Sequence, residues 1–226
     1  MSWLTPGGVV AAVLVGSGVA GGVGWQGLLP LLFFLLTGSV LTRLAVGTGP
    51  RRNARQVLAN GGVAALAALL GSWPAVAGAI AAATADTWAT EIGAFSPTGP
   101  RLITTGARVA AGRSGGITAL GTAGGLAGAM LIATVSALAA PPLRWRGAWI
   151  AAGAGVAGML VDSLLGATAQ GRWICRGCGA ETERPGECHG RRELIGGLRW
   201  LDNDGVNLAG SLCGAAVAIA AWARWA

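Results

Sequence analysis

What most constrains this chain is the length of its apolar runs. A membrane-crossing helix needs about 20 mostly apolar residues. Seven stretches approach or reach that length, at about residues 6 to 23, 26 to 46, 57 to 72, 74 to 94, 115 to 139, 147 to 170 and 205 to 223, the third being the shortest. With 53% hydrophobic and 11% charged residues, the composition does not fit an ordinary soluble domain. The expected fold is all-α: one polytopic transmembrane domain over residues 1–226 with about seven spanning helices. Forty glycines would loosen a soluble core, but small residues let helices approach closely in a bilayer, as at Gly121/Gly125 and Gly124/Gly128. No Lys or Arg precedes the first run, so it lacks the basic stretch of a secretory signal and reads as a mature helix.

The formal charge of +7 raises nucleic-acid binding as a function class. All sixteen basic residues are Arg and, apart from Arg43 near the end of the second run, they sit outside the apolar runs, which the positive-inside rule accounts for without a nucleic acid. With seven spans the N-terminus shares a side with the loops after helices two, four and six. That side carries thirteen Arg and the other three, namely Arg144, Arg146 and Arg224. The expectation is an inner-membrane, multi-pass protein with its N-terminus and long loops cytoplasmic and its C-terminus outside. Trp3, Trp25, Trp73, Trp145, Trp149, Trp173, Trp222 and Trp225 fall at the predicted helix ends, as an interfacial aromatic belt does.

Three stretches read as degenerate copies of one helical hairpin: an outgoing helix with polar residues near its end, a basic loop, and a glycine-led return. They are Leu36–Arg43 returning at Asn60-Gly61-Gly62, Ala85–Gly93 returning at Ser114-Gly115-Gly116, and Val161–Thr168 returning at Asn203-Asp204-Gly205. Helices three, five and seven would then present free N–H groups and positive dipole ends on one face, where anions bind. The bland alternative is that Asn60, Ser114 and Asn203 are ordinary caps and the glycines packing residues.

Few acidic residues enter the apolar runs: Asp86, Glu91 and Asp162 do so, while Asp202 and Asp204 stand at the mouth of the last helix. A carboxylate within a span is costly and marks a functional candidate. Asp86 and Asp162 each lie about eight residues from the predicted end of their helix, hence at one depth. Two carboxylates facing helix N-termini and many arginines point to a magnesium-bridged phosphate site, because Mg²⁺ takes one or two carboxylates together with waters and substrate phosphates. Phosphoryl transfer is mostly positioning and charge neutralisation and needs no histidine base. A second polar cluster, Arg101-Leu-Ile-Thr104-Thr105-Gly106 with Arg108, suits phosphate or nucleotide binding or is a solvated basic loop.

The loop over residues 171–203 carries Cys175-x-x-Cys178 and then Cys188-His189. On a cytoplasmic loop, where disulfides are rare, this reads as a small zinc-knuckle-like site, although adjacent Cys188 and His189 are awkward ligands for one ion. Cys213 reads as a small buried residue in the last helix.

Taken in order, Gly49–Gly62 (GPRRNARQVLANGG), Ala85–Gly93 (ADTWATEIG), Pro100–Gly106 (PRLITTG), Asp162–Thr168 (DSLLGAT) and Leu201–Asn207 (LDNDGVN) resemble an integral-membrane family. That family includes the plastid phytyl-phosphate kinase of vitamin E synthesis. The resemblance runs from about residue 35 to the end, and Arg113-Ser114-Gly-Gly departs from it where a Thr-Asn-Gly-Gly turn is expected. It implies transfer of a nucleotide γ-phosphate from CTP or ATP onto a membrane-embedded isoprenyl (phytyl or geranylgeranyl) monophosphate, with Asn60, Asp86, Glu91, Asp162 and Asn207 at the site. Within it the expected roles are Asp86 and Asp162 as Mg²⁺ ligands and Asn60, Gly61, Gly62, Gly115 and Gly116 around phosphate. Arg101, Thr104, Thr105 and Arg108 would lie near the nucleotide, with Asp204 and Asn207 completing the polar ring. Another lipid nucleotidyl or phosphoryl transferase and a transporter of an anionic solute are the competing readings. A transporter would need a mid-bilayer site and inverted repeats, whereas these repeats are parallel.

Overall fold

The structure, a computed structural model, describes residues 3–47, 51–140, 143–183 and 191–225. Among them the chain forms seven α-helices: α1 Pro6–Val23, α2 Leu28–Val46, α3 Ala54–Leu69, α4 Trp73–Gly93, α5 Ala119–Ala139, α6 Arg144–Thr168 and α7 Asn203–Trp225. Two small antiparallel sheets sit in the loops. β1 (Arg101–Leu102) pairs with β2 (Gly116–Ile117), and β3 (Arg172–Cys175) lies between β4 (Glu181–Thr182) and β5 (Arg192–Gly196).

Local chemistry sets the helix starts. The Thr5 side chain accepts from Gly8 N with Pro6 in the first turn, and Thr118 accepts from Gly121 N at 2.9 Å. Asn53 and Gln56 form a reciprocal capping box on α3, satisfying two N–H groups that the first helical turn leaves without partners. Asp202 caps α7, accepting from Gly205 N at 3.0 Å. These starts correct the expected hairpin returns. α3 begins at Ala54, so Asn60, Gly61 and Gly62 lie inside the helix, not at its N-terminus. α5 begins at Ala119, so Gly115 and Gly116 precede it, in a turn and in β2. Asn203 opens α7 as its first residue rather than capping it. Shared anion sites at three helix ends are therefore not formed as expected.

α4 is the central helix. Residues Ala75–Ala85 are all buried, and α2, α3, α5, α6 and α7 pack around it while α1 packs on α3. Glycines set the close crossings. A Cβ on Gly78 would stand 2.7 Å from Ala218 Cβ on α7, one on Gly155 would stand 2.8 Å from Ala81 Cβ, and one on Gly124 would stand 2.8 Å from Ile92 Cβ. Gly121 and Gly125 likewise face the α4 backbone at Ala89 and Ala85. The small-residue pattern expected from sequence is thus a seam that brings α4 against α5, α6 and α7.

Among the described residues five helices are long and apolar enough to cross a membrane: Pro6–Val23, Trp25–Ala45 with its leading 3-10 turn, Ala119–Ala139, Arg144–Thr168 and Asn203–Arg224. α3 has 16 residues, and α4 carries Asp86, Glu91 and several threonines through its last turns. The outer faces remain apolar, with Val13, Leu14, Leu36, Leu66 and Leu138 among the exposed side chains.

The N-terminus and the loops after α2, α4 and α6 share one end of the bundle. Thr5 N donates to Arg52 O and Arg52 N to Trp3 O. Arg55 pairs with Asp202 at 2.7 Å across α3 and α7. Glu183 ties the Cys-rich loop to the middle loop, accepting from Arg113 Nη1 at 2.8 Å, Ser114 N at 3.1 Å, Gln170 Nε2 at 3.0 Å and the Ser114 hydroxyl.

Candidate functional site

Near the Arg-rich end, α4 and α6 bring Asp86 and Asp162 together. The two half-buried side chains are neighbours whose charges act on each other. Asp86 is seven residues before the end of α4 and Asp162 six before the end of α6, which places both roughly 10 Å below that end at 1.5 Å per residue. Two carboxylates in contact away from bulk water repel unless a proton or a cation stands between them. Asp162 Oδ2 is buried with no hydrogen-bond partner. α7 leaves room beside it, since a Cβ on Gly210 would stand 3.7 Å from Oδ2. Asn207 lies three residues before Gly210, on the same side of α7 and one turn nearer the loops. Ser211 Oγ, next to Gly210, is also buried without a partner.

Among the described residues no three His, Cys, Asp or Glu side chains gather as a metal cluster. Two carboxylates and oxygen-only neighbours still fit Mg²⁺, which fills its shell with waters and substrate oxygens. The unpartnered Oδ2 supplies a lone pair for such an ion.

Glu91 reaches from α4 to α2. Thr42 Oγ1 on α2 lies 2.6 Å from Glu91 Oε1 and 2.9 Å from Gly38 O. Its single proton serves one acceptor at a time, and the shorter contact is the charge-assisted one. One turn away, Trp88 Nε1 donates to Thr37 Oγ1 at 3.1 Å. Between α2 and α4 lies the guanidinium of Arg52. The Glu91 carboxylate is near enough to act on its charge.

The remaining expected site residues separate into groups. Asn60 donates to Gln56 O at 2.9 Å within α3, and a Cβ on Gly61 would stand 2.9 Å from Val15 Cγ1 on α1, so Gly61 closes a helix crossing. Gly62 has open space around its Cα. Gly115, at φ +76, sits against Ala167 on α6, a close approach that a side chain would block. Gly116 pairs with Leu102. Arg101 and Arg108, with Thr98, Gly99 and Thr118, line an open depression of about 450 Å³ at the foot of α5. Arg101 Nη1 also holds Gly106 O at 2.8 Å. Thr104 and Thr105 are exposed on the turn after β1 and do not line that depression. Asp204 lies 3.7 Å from Arg55 at the mouth of α7.

In the Cys-rich loop, Cys175 is buried at the end of β3 and Cys178 is exposed in the following turn. Gly179 N donates to Cys175 O at 2.8 Å with Gly179 at φ +72. Cys188 and His189 lie outside the described residues.

Arg52, Ser39, Thr42 and Ser211 were not among the residues singled out from sequence. A buried Arg contributed by a basic loop leaves no periodic signal, and isolated Ser and Thr in apolar helices are common. Glu183 had no signal beyond its charge.

A helical bundle with apolar outer faces and five helices able to cross a membrane belongs to the class of integral-membrane proteins. The chain belongs to the family described as integral membrane protein DUF92, whose model matches residues 1–215. It is 30% identical over 223 residues to the protein called Protein PGR of Arabidopsis thaliana, covering 80% of this chain and 76% of that one. It is 34% identical over 173 residues to the membrane protein MJ0933 of Methanocaldococcus jannaschii, covering 71% and 72%. No solved structure matches the chain.

Proposed function

We propose that this protein is a membrane phosphotransferase that converts an isoprenyl monophosphate, such as phytyl or geranylgeranyl monophosphate, into the diphosphate at the expense of CTP or ATP. The observation that carries this reading is the Asp86–Asp162 pair, with its unpartnered Oδ2, on the Arg-rich side of the bundle. A carboxyl pair set to one side suits chemistry at a membrane surface better than a mid-bilayer transport site.

In this reading Asp86 and Asp162 hold Mg²⁺, which when bound would neutralise charge on the transferred phosphoryl group. Arg101 and Arg108 bind the nucleotide phosphates in the depression beside α5, with Thr98, Gly99 and Thr118 at its wall, and Thr104 and Thr105 on the exposed turn after β1 meet the nucleotide from outside it. Asp204 and Asn207 belong to the polar ring at the mouth of α7, while Asn60, Gly61, Gly62 and Glu91 act through the helices that frame it. An oxygen of the acceptor phosphate attacks the nucleotide γ-phosphorus. The bond from that phosphorus to the β-γ bridging oxygen breaks, and the nucleoside diphosphate departs. The attacking oxygen is already anionic, so no side chain has to remove a proton. We further place all seven helices across the inner membrane, with the N-terminus and the Arg-rich loops cytoplasmic and the C-terminus outside. The Cys175–Cys178 turn, with Cys188 and His189, holds a structural Zn²⁺.

The test is product formation. Purified protein in detergent receives γ-labelled CTP or ATP, Mg²⁺ and prenyl monophosphates of several lengths, and labelled prenyl diphosphate is the expected product. Folded protein that makes no diphosphate with any donor or chain length would overturn the kinase reading. Incorporation of the nucleotide moiety instead would identify a nucleotidyl transferase.

A further inference from the structure

Arg52 sits at the Arg-rich end by its backbone, yet its guanidinium reaches into the bundle. The backbone is fixed by hydrogen bonds to Trp3 O at 3.0 Å and from Thr5 N at 3.1 Å. The side chain runs down between α2 and α4, with Cζ 5.5 Å from the centre of the Phe34 ring. At Gly38 a Cβ would stand 3.0 Å from Arg52 Nη2 and 3.2 Å from Thr87 Cγ2, so a glycine at this position makes the space. Gly38 is eight residues before the end of α2, about 12 Å at the helical rise. That matches the depth of the carboxyl pair.

A guanidinium at that depth is expected to have all its N–H groups bonded. Arg52 Nη1 is instead buried with no acceptor. Ser39, the next residue of α2 and 6% exposed, also has a buried hydroxyl without a partner. The nearby Glu91 carboxylate, whose Oε1 lies 2.6 Å from Thr42 Oγ1, makes no hydrogen bond to Nη1. Arg52 Nη1, 3.7 Å from where a Cβ on Gly38 would stand, and the hydroxyl of the adjoining Ser39 are two buried donors without acceptors, a set that an anion would complete.

We propose that Arg52 Nη1 and the Ser39 hydroxyl bind an oxygen of the phosphate group on a membrane-embedded phosphomonoester, the acceptor substrate. This rests on the kinase reading given above. The apolar residues Leu32, Phe33 and Leu36 on α2 are exposed, offering the alkyl tail a lipid-facing surface near the phosphate. Arg52 then holds the acceptor phosphate at the depth of the carboxyl pair.

The experiment is equilibrium binding of radiolabelled geranylgeranyl monophosphate, without nucleotide, to the full chain in nanodiscs of zwitterionic lipid. Arg52→Gln is expected to weaken binding about ten- to a hundredfold, the range for a lost hydrogen bond to a charged group, and Arg52→Lys less. Geranylgeraniol, lacking the phosphate, is expected to bind wild type and variants equally, and the nucleotide KM to stay unchanged. Gly38→Ala, which crowds Nη2 while keeping the charge, should shift affinity in the same direction and keeps the test open if Arg52→Gln does not fold. Wild-type affinity in folded Arg52→Gln would overturn this inference and leave the kinase reading standing on its turnover assay. Wild type that binds the monophosphate no better than the alcohol would overturn both. Displacement by inorganic phosphate as effective as by the labelled lipid itself would overturn the lipid as the source of the anion.

Discussion

Asp86 on α4 and Asp162 on α6 stand close enough for their charges to act on each other, and Asp162 Oδ2 is buried with no hydrogen-bond partner. The pair is held by packing on both flanks. Gly155 lets α6 close on Ala81 one side of it, and Gly158 and Gly210 bring α6 and α7 together on the other. The carboxyls therefore meet because small residues fix the backbones, and their mutual repulsion has to be relieved by what binds between them.

That repulsion makes a first prediction. Mg²⁺ raises the thermal midpoint of wild type in detergent, by the linkage that gives about 2.7 kcal/mol at a ligand concentration a hundred times Kd. Asp86→Asn and Asp162→Asn keep a hydrogen-bonding pair but lose the shift. Equal Mg²⁺ shifts in wild type and both variants would place the ion elsewhere.

Glu183 accepts from Arg113, from the backbone and hydroxyl of Ser114, and from Gln170. Gln170 is 2% exposed, so Glu183→Ala strands a buried amide as well as freeing the Ser114 turn. The expected cost is about 1–3 kcal/mol, with faster hydrogen exchange at residues 113–117 and quicker tryptic cleavage after Arg113. Unchanged exchange there would mean that Glu183 does not hold the loops together.

Glycines at two positions on the bundle should respond to alanine with opposite signs. Gly78→Ala drives a methyl into Ala218 at 2.7 Å and should destabilise by about 1–3 kcal/mol through overpacking. Gly153→Ala meets nothing within 4 Å and should stabilise by up to about 1 kcal/mol through helix propensity. Denaturant melts of the two variants decide it, and equal effects would contradict the seam.

The Thr42–Glu91 contact at 2.6 Å links α2 to α4. Thr42→Val should cost about 1.5–3 kcal/mol, the value for a hydrogen bond to a charged group. In a double-mutant cycle, Glu91→Gln should remove most of that cost. Additive effects would mean that the two side chains act independently.

The apolar periodicity made the helices legible in the sequence, and counting residues from the ends of α4 and α6 made the shared depth of Asp86 and Asp162 legible too. The helix starts were harder. Asn53-x-x-Gln56 is a capping signature three residues inside a loop that reads as basic and solvated, so α3 begins earlier than its apolar run and takes Asn60, Gly61 and Gly62 into its interior. Asp202, not Asn203, caps α7 for the same local reason. Arg52 was hidden because its backbone belongs to a loop while its guanidinium belongs to the bundle, a separation that long side chains permit. Glu183 and Ser114 meet only through tertiary packing, 69 residues apart.

The most direct test of the central claim is Mg²⁺-dependent formation of labelled prenyl diphosphate by wild type, Asp86→Asn and Asp162→Asn, each shown to be folded. The account predicts product from wild type and at least about a hundredfold less from either variant, the scale for losing a group that stabilises transition-state charge. Wild-type turnover in either variant would contradict it.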